Sequence, residues 1–216
     1  MVECARIVTE GVHMKKRMCI IGFGRMGKRC LRLFRDGFDI EVISRRDIEN
    51  ELREMGASQS RDAKESLSAA DAVFLAVPVE AINLWVEQIN QYAREDCLII
   101  DCCTARLAAE KELSKIRRKR FGLPELGVGV TPVLGKPDEL ISEYLDGKGV
   151  RLQPASPEDY DRESTAAGIA HFIGMALDLH LGERERAELE NSPAGFYLLQ
   201  LIEHLKSNSP STYKEI

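Results

Sequence analysis

Apolar positions fall in short runs separated by amphipathic stretches. Met18-Cys19-Ile20-Ile21 is an apolar run of strand length, and it leads directly into Gly22-Phe23-Gly24-Arg25-Met26-Gly27. The next stretch places Cys30, Leu31, Leu33 and Phe34 at helical spacing and stops at Gly37. Phe38 to Ile43 reads as a second strand, and Ile48 to Met55 as a helix with Asp47 as its N-cap. Ala72 to Val77 is a continuous apolar run ending at Pro78, the pattern of a central parallel strand. A helix over Val79–Ala93 follows, then a strand over Leu98–Asp101. Gly127–Pro137 reads as a strand end opening into a rigid loop, and Gly149–Gln153 supplies one more strand.

The pattern changes at Ser156-Pro157, an N-cap followed by a proline suited to the first helical position. A long helix is predicted to about Leu181. One of its faces carries Ile169, Phe172, Ile173, Ala176 and Leu177, and another carries Ala167, Gly168, His171, Gly174 and Asp178. Ser192-Pro193 starts a further helix with Phe196, Leu199, Ile202 and Leu205 inward, and Ser211–Ile216 forms a last turn. The predicted fold class is α/β. It is expected to comprise a Rossmann-like parallel sheet over residues 14–154, a short all-helical domain over 155–216 that packs on it and on a partner subunit, and a loose arm over residues 1–13.

The order strand, glycine turn, helix, strand gives the G-x-G-x-x-G spacing its meaning. The first glycine makes the turn, the second lets backbone approach a pyrophosphate, and the third lets helix and strand pack closely. The expected cofactor contacts are Gly22, Phe23, Gly24, Arg25, Met26 and Gly27, with Val77, Pro78 and Asp101 at neighbouring strand ends. About 20 residues past the glycines, an NAD site has an acid for the ribose hydroxyls. Here the position holds Ser44, followed by Arg45 and Arg46, which can pair with a 2′-phosphate. NADP is therefore expected over NAD. Strand C-terminal ends also place Thr104 and Thr131 along the same crevice.

Composition narrows the classes. Hydrophobic residues make up 44% of the 216, enough for a packed core, and a net charge of −5 argues against a nucleic-acid partner. The basic run Lys115–Arg120 reads as a solvated helix end. No apolar run reaches the ~20 residues of a membrane span, and no signal-peptide pattern is seen, so a cytoplasmic location is expected. Six cysteines include no C-x-x-C pair and no histidine at metal-ligand spacing, so no metal is expected. They read as reduced thiols packed as small hydrophobes, Cys102-Cys103 included, since adjacent cysteines rarely reach disulfide geometry.

Together these residues resemble a family. GFGRMG with SRRD resembles plant-type arogenate dehydrogenases. AHFIGMALDLHL, NSPAGFYLLQLIEHLKSNSPSTYKEI, the Asp101–Arg106 turn and the Pro154–Asp161 segment resemble prephenate dehydrogenases. The likeness covers most of residues 18–216. It implies NADP-dependent hydride transfer from a cyclohexadienyl hydroxy acid, coupled to decarboxylation and belonging to tyrosine biosynthesis, and a homodimer formed through the C-terminal helices. It also implies His171 as the proton acceptor, with Thr104 and Thr131 orienting the substrate.

The departures from the family pattern are equally specific. Thr131 stands where the family's H-P-M-F-G motif has its histidine. Thr104 replaces a serine, Arg106 a lysine, Tyr160 a histidine and Ala167 a glutamine. The chain stops at Ile216, before the family's carboxylate-binding arginine, and a last strand-helix unit is expected to be missing. Arg106 and Lys136 remain as candidate substrate cations. Two further readings therefore stay open. One is a non-catalytic NADP(H)-binding homologue. The other is a Rossmann domain recruited for another nucleotide-bearing ligand such as S-adenosylmethionine, against which Arg45 and Arg46 argue.

Overall fold

The computed structural model describes residues 15–126, 129–165, 169 and 180–206. Among these, eight strands form one sheet in the order β3-β2-β1-β4-β5-β6-β7-β8. β1 (Lys16–Ile21) pairs in parallel with β2 (Phe38–Ile43) on one side and β4 (Ala72–Leu75) on the other. β3 (Ser58–Ser60), β5 (Leu98–Asp101) and β6 (Arg120–Gly122) continue the parallel ladder. β7 (Gly129–Leu134) turns antiparallel to β6, and β8 (Val150–Ala155) runs parallel to β7 at the edge.

Alternation along each strand sends side chains to two cores. On one face Met18, Ile20, Ile40, Phe74 and Ile100 pack beneath α1 (Arg25–Phe34), α2 (Glu49–Glu54) and α6 (Glu139–Gly147). On the other, Cys19, Ile21, Val73, Leu75 and Ile99 pack beneath α3 (Ala63–Ala69), α4 (Ile82–Tyr92) and α5 (Arg106–Leu113). Covering both faces is what allows β4, and β1 from Met18 to Ile21, to be apolar throughout. The direction of winding reverses between β1 and β4, and such a switch point opens a crevice at the strand C-termini.

Several sequence expectations change in detail. Strand β4 ends at Leu75, and the helix after it begins as a 3₁₀ turn over Val79–Ala81. Asp47 is not the N-cap of α2. Ile48 holds that position, and Asp47 Oδ1 instead accepts from Glu49 N at 3.3 Å, an Asx-type turn. The Gly127–Pro137 segment is more ordered than a loop: from Gly129 it is strand, including Thr131-Pro132, while 127 and 128 lie outside the described residues. Pro154 likewise belongs to β8. Both prolines lie where a strand has an open side, the position at which a missing N–H is tolerated.

The basic run is not simply a solvated helix end. α5 stops at Leu113, and Arg118 donates from Nε to the Arg94 carbonyl (2.7 Å) and from Nη2 to that of Ala93 (2.7 Å). It thereby satisfies carbonyls left over at the C-terminus of α4.

In the C-terminal part, residues 157–165 form α7, capped by Ser156, whose Oγ accepts from Asp159 N at 3.0 Å. α8 (Glu183–Glu190), not foreseen from the sequence, packs against α9 (Pro193–Lys206). Ile202 is buried as expected, but Phe196 and Ile169 are exposed, so the expected inward faces are only partly realised. The rest of the long-helix stripe, the turn at 211–216 and the arm at 1–13 lie outside the described residues.

One aromatic cluster ties α6 to α1. Phe34, fully buried, meets Phe38 edge-on (centroids 5.5 Å apart, 81°) and stacks on Tyr144 (5.4 Å, 16°). Phe34→Ala should lower stability to urea by about 3–5 kcal/mol. A loss below about 1 kcal/mol would mean that this cluster does not hold the two helices together.

Candidate active site at the strand C-termini

The glycine turn follows from close approach. Gly22 has φ +94°, and a Cβ there would run into the Ala76 carbonyl oxygen. A Cβ on Gly27 would strike the Gly22 carbonyl oxygen, so only glycine lets α1 sit this close to β1. Gly24 is the opposite case: nothing lies within 4 Å of a Cβ placed on it. Backbone at the start of α1 is therefore open to an incoming group. Gly24 offers no side-chain cap and no acid lies in the first turn, which leaves the helix N-terminus free of competing negative charge. These features fit a dinucleotide pyrophosphate.

Backbone hydrogen bonds draw neighbouring strand ends to this turn. Gly22 N donates to Ile43 O (2.9 Å), Ala76 N to Ile21 O (2.8 Å) and Cys102 N to Leu75 O (3.2 Å). Ser44, Gly22, Ala76 and Cys102 thus follow one another along a single edge. Val77, half-buried, and Pro78, exposed, lie beside it; in the first turn of α1 Arg25 is exposed, while Met26 is half-buried and packs against the core. Phe23 differs from the expectation of an open contact. Its ring is 3% exposed, with Lys28 Nζ 5.3 Å from the ring centroid, so the backbone of Phe23 is what the turn presents.

The β2–α2 turn is pinned from β3. Gln59 accepts from Ile48 N (2.8 Å) and donates to Arg46 O (2.8 Å). Arg46 N donates to Ser44 Oγ (3.2 Å), and Arg46 Nη2 reaches back to Phe23 O (3.1 Å). Arg45 is exposed. Arg61, just past β3, lies 3.4 Å from Asp47. Neither Gln59 nor Arg61 stood out in the sequence, because the three-residue strand Ser58–Ser60 has no apolar run to announce it.

The substrate side is more enclosed than expected. Asp101 and Arg106 form an ion pair, each 1% exposed, and Asp101 Oδ1 also accepts from Cys103 N (3.2 Å). Gly122 leaves the space the guanidinium fills, since a Cβ there would come within 2.7 Å of it. Asp101 and Arg106 are thus turned into the protein, not toward a ligand, and Arg106 Nε has no hydrogen-bond partner. The N-terminus of α5 is capped from α7: Asp161 accepts from Arg106 N and Leu107 N, both at 2.8 Å. Tyr160 is buried beside it with its hydroxyl 3.3 Å from Glu125, and burial pushes its pKa up to about 12.

Thr104 is half-buried between β5 and α5. Thr131 is 1% exposed. Because β7 pairs with β6 only at Gly122↔Leu134, its first residues project past the C-terminal end of β6, the end where the glycine turn lies. Lys136 belongs elsewhere. It is exposed, and Asp138 pairs with Lys119 (3.1 Å) at the start of β6, which turns this segment toward the opposite edge of the sheet. His171 and Ala167 lie outside the described residues. Among the described residues no group of acids, histidines or cysteines is placed to hold a metal, and no helix is long and apolar enough to cross a membrane.

Fold and turn define the class: this is a Rossmann-type, NAD(P)-binding fold. Residues 17–105 match the family described as NADP oxidoreductase, coenzyme F420-dependent. The chain also resembles arogenate and prephenate dehydrogenases. It is 22% identical over 221 residues to a probable arogenate/prephenate dehydrogenase of Methanocaldococcus jannaschii, covering 90% of this chain and 49% of that one. The chain therefore spans about half the length of this curated relative. The structure is similar to prephenate dehydrogenase from A. aeolicus in complex with hydroxyphenyl propionate and NAD+ (TM-score 0.70, 14% identity, 94% of this chain, 82% of that one). It is also similar to Synechocystis arogenate dehydrogenase (TM-score 0.59, 18% identity, 92% and 77%).

Two predictions follow from burial. Asp101→Asn strands the Arg106 charge in the interior and should cost about 3–5 kcal/mol in chemical denaturation, with much of the loss recovered in Asp101→Leu/Arg106→Met. Wild-type-like stability in Asp101→Asn would show that the pair contributes nothing. Burial raises the thiol pKa of Cys19, Cys30 and Cys103 and pushes that of Cys97 up to about 12, while Cys102 is 7% exposed. Thiolate forms only as pH climbs through these raised values, so these four should resist iodoacetamide near pH 8 in the folded protein, Cys102 should resist it through burial alone, and all five should react on unfolding. Rapid native labelling at Cys102 or Cys103 would restore a redox reading of that pair.

Proposed function

We propose that this chain is an NADP-dependent dehydrogenase acting on a cyclohexadienyl hydroxy acid of the prephenate or arogenate type. The observation that carries the reading is the open backbone at Gly24 beside a strand end occupied by Ser44-Arg45-Arg46. Gly22, Gly24 and Gly27, with the backbone of Phe23, Arg25 and Met26, would hold the pyrophosphate. Ser44, Arg45 and Arg46 would serve the adenosine end, and Val77 and Pro78 would flank the cofactor where β4 ends. Cation-bearing turns suit a 2′-phosphate, whereas the A. aeolicus relative was solved with NAD+.

When bound, the nicotinamide supplies a hydride acceptor. The chain's own residues would do the rest. Thr104 and Thr131 would orient the substrate hydroxyl by hydrogen bonding, since neither titrates near neutral pH. His171 would take the hydroxyl proton. Residues 14–154 would form the cofactor domain, and residues 155–216 the substrate and dimerisation domain, in a cytoplasmic homodimer.

One observation favours a second reading, a non-catalytic NADP(H)-binding homologue. Arg106, which stands at the place of the family's lysine, is withdrawn into the Asp101 pair and offers no charge to a substrate. The two readings separate in one assay. Purified protein mixed with NADP and either prephenate or arogenate should produce NADPH. His171→Ala should slow that turnover about 10²–10⁴-fold. Silence with both acids, in a sample that binds NADP, would sink the dehydrogenase reading and leave the binder. Unchanged turnover in His171→Ala would remove the histidine from the chemistry.

A further inference from the structure

We infer that Arg61, just past the end of β3, joins Arg45 in giving this site its preference for a 2′-phosphate, while Arg46 positions the turn. The inference rests on the dinucleotide-binding reading above and sharpens it. β2 and β3 pair in parallel with Ile43 opposite Ser60. Continued by one residue, that register sets Arg61 opposite Ser44, on the adjacent strand about 4.8 Å away. Ser44 stands where an NAD site would carry its ribose-binding acid. Arg61 therefore leaves the sheet beside the point at which a 2′-substituent of the adenosine ribose would arrive.

Its side chain reaches the β2–α2 turn, which follows Ser44. Arg61 is 70% exposed, and its guanidinium lies 3.4 Å from Asp47 in that turn. The turn between them is fixed by Gln59 through Ile48 N and Arg46 O. Arg46 is engaged otherwise. Its Nη2 donates to the Phe23 carbonyl, which joins this turn to the glycine turn. Losing that brace would disturb both turns whatever the ribose carries. Arg61 makes no such link, so its charge is available to a phosphate. Asp47 is the competing anion: a phosphate carrying nearly two negative charges would draw Arg61 from an exposed pair of small worth.

The test is direct titration of the full chain with NADPH and with NADH, in wild type, Arg61→Gln, Arg46→Gln and Asp47→Asn. Wild type should bind NADPH more tightly. Arg61→Gln should weaken NADPH about tenfold, the loss of one charge-assisted contact, with NADH unchanged within about twofold. Arg46→Gln should weaken both dinucleotides alike. Asp47→Asn should tighten NADPH about two- to fivefold and leave NADH unaltered. Should Arg61→Gln fail to fold, Asp47→Asn carries the test in an otherwise native background.

The failures are distinguishable. A wild type that binds NADH as tightly as NADPH, or binds neither, overturns the cofactor reading beneath the inference. A wild type that prefers NADPH, with Arg61→Gln keeping that preference or weakening both dinucleotides equally, overturns the role of Arg61 alone.

Discussion

Close approach of backbone at the switch point shapes this molecule. The Gly22 carbonyl oxygen sits where a side chain on residue 27 would begin, and the Ala76 carbonyl oxygen where one on residue 22 would begin. α1 can lie tight against β1 only because both positions lack a Cβ. With the helix so placed, its N-terminal backbone faces outward at Gly24, where nothing lies near. Ladder bonds from Ile43, Ile21 and Leu75 then line up the neighbouring strand ends. The crevice is a consequence of three small residues and the reversal of winding between β1 and β4.

A second constraint acts on the far side of the crevice. The buried Asp101–Arg106 pair sits under the N-terminus of α5, and Asp161 closes that terminus from α7. An ion pair in the interior is a weak source of net stability, but breaking one partner is costly. Its effect here is to fix where α5 begins and so where Thr104 lies. Through Asp161, the start of the C-terminal helical segment is tied to the same place. The side of the site that would hold a substrate is thus built from buried charge, whereas the cofactor side is built from exposed backbone and exposed arginines.

Much of the scaffold was legible along the chain. β2 and β5 fall on their expected residues, and β1 begins only two residues early: β1 and β5 carry unbroken apolar runs, the mark of strands buried on both faces, and β2 alternates buried and more exposed positions. β3 did not announce itself, since Ser58-Gln59-Ser60 is polar and short. Gly127–Pro137 reads as a strand end opening into a loop because Thr131-Pro132 is loop chemistry, yet the strand runs on to Leu134. What keeps these residues in a strand is the parallel ladder to β8, which runs from Gly129 opposite Val150 to Leu134 opposite Ala155 and which no local pattern around Thr131 records. Expectations for the last helices were only partly met, as Ile202 is buried and Phe196 is not.

The same division holds for the candidate site. By itself the sequence determined the glycine spacing, the missing acid at Ser44 and the absence of a titrating group at Thr131, because these depend on residue type and local order alone. Only the tertiary structure decided which arginine does what. Arg46 is spent on the Phe23 carbonyl, Arg106 is buried against Asp101, and Arg61 emerges beside Ser44 from a strand no pattern revealed. An arginine's reach exceeds the spacing between strands. Its role is therefore set by which acceptors the fold brings within that reach, and sequence neighbours do not record them.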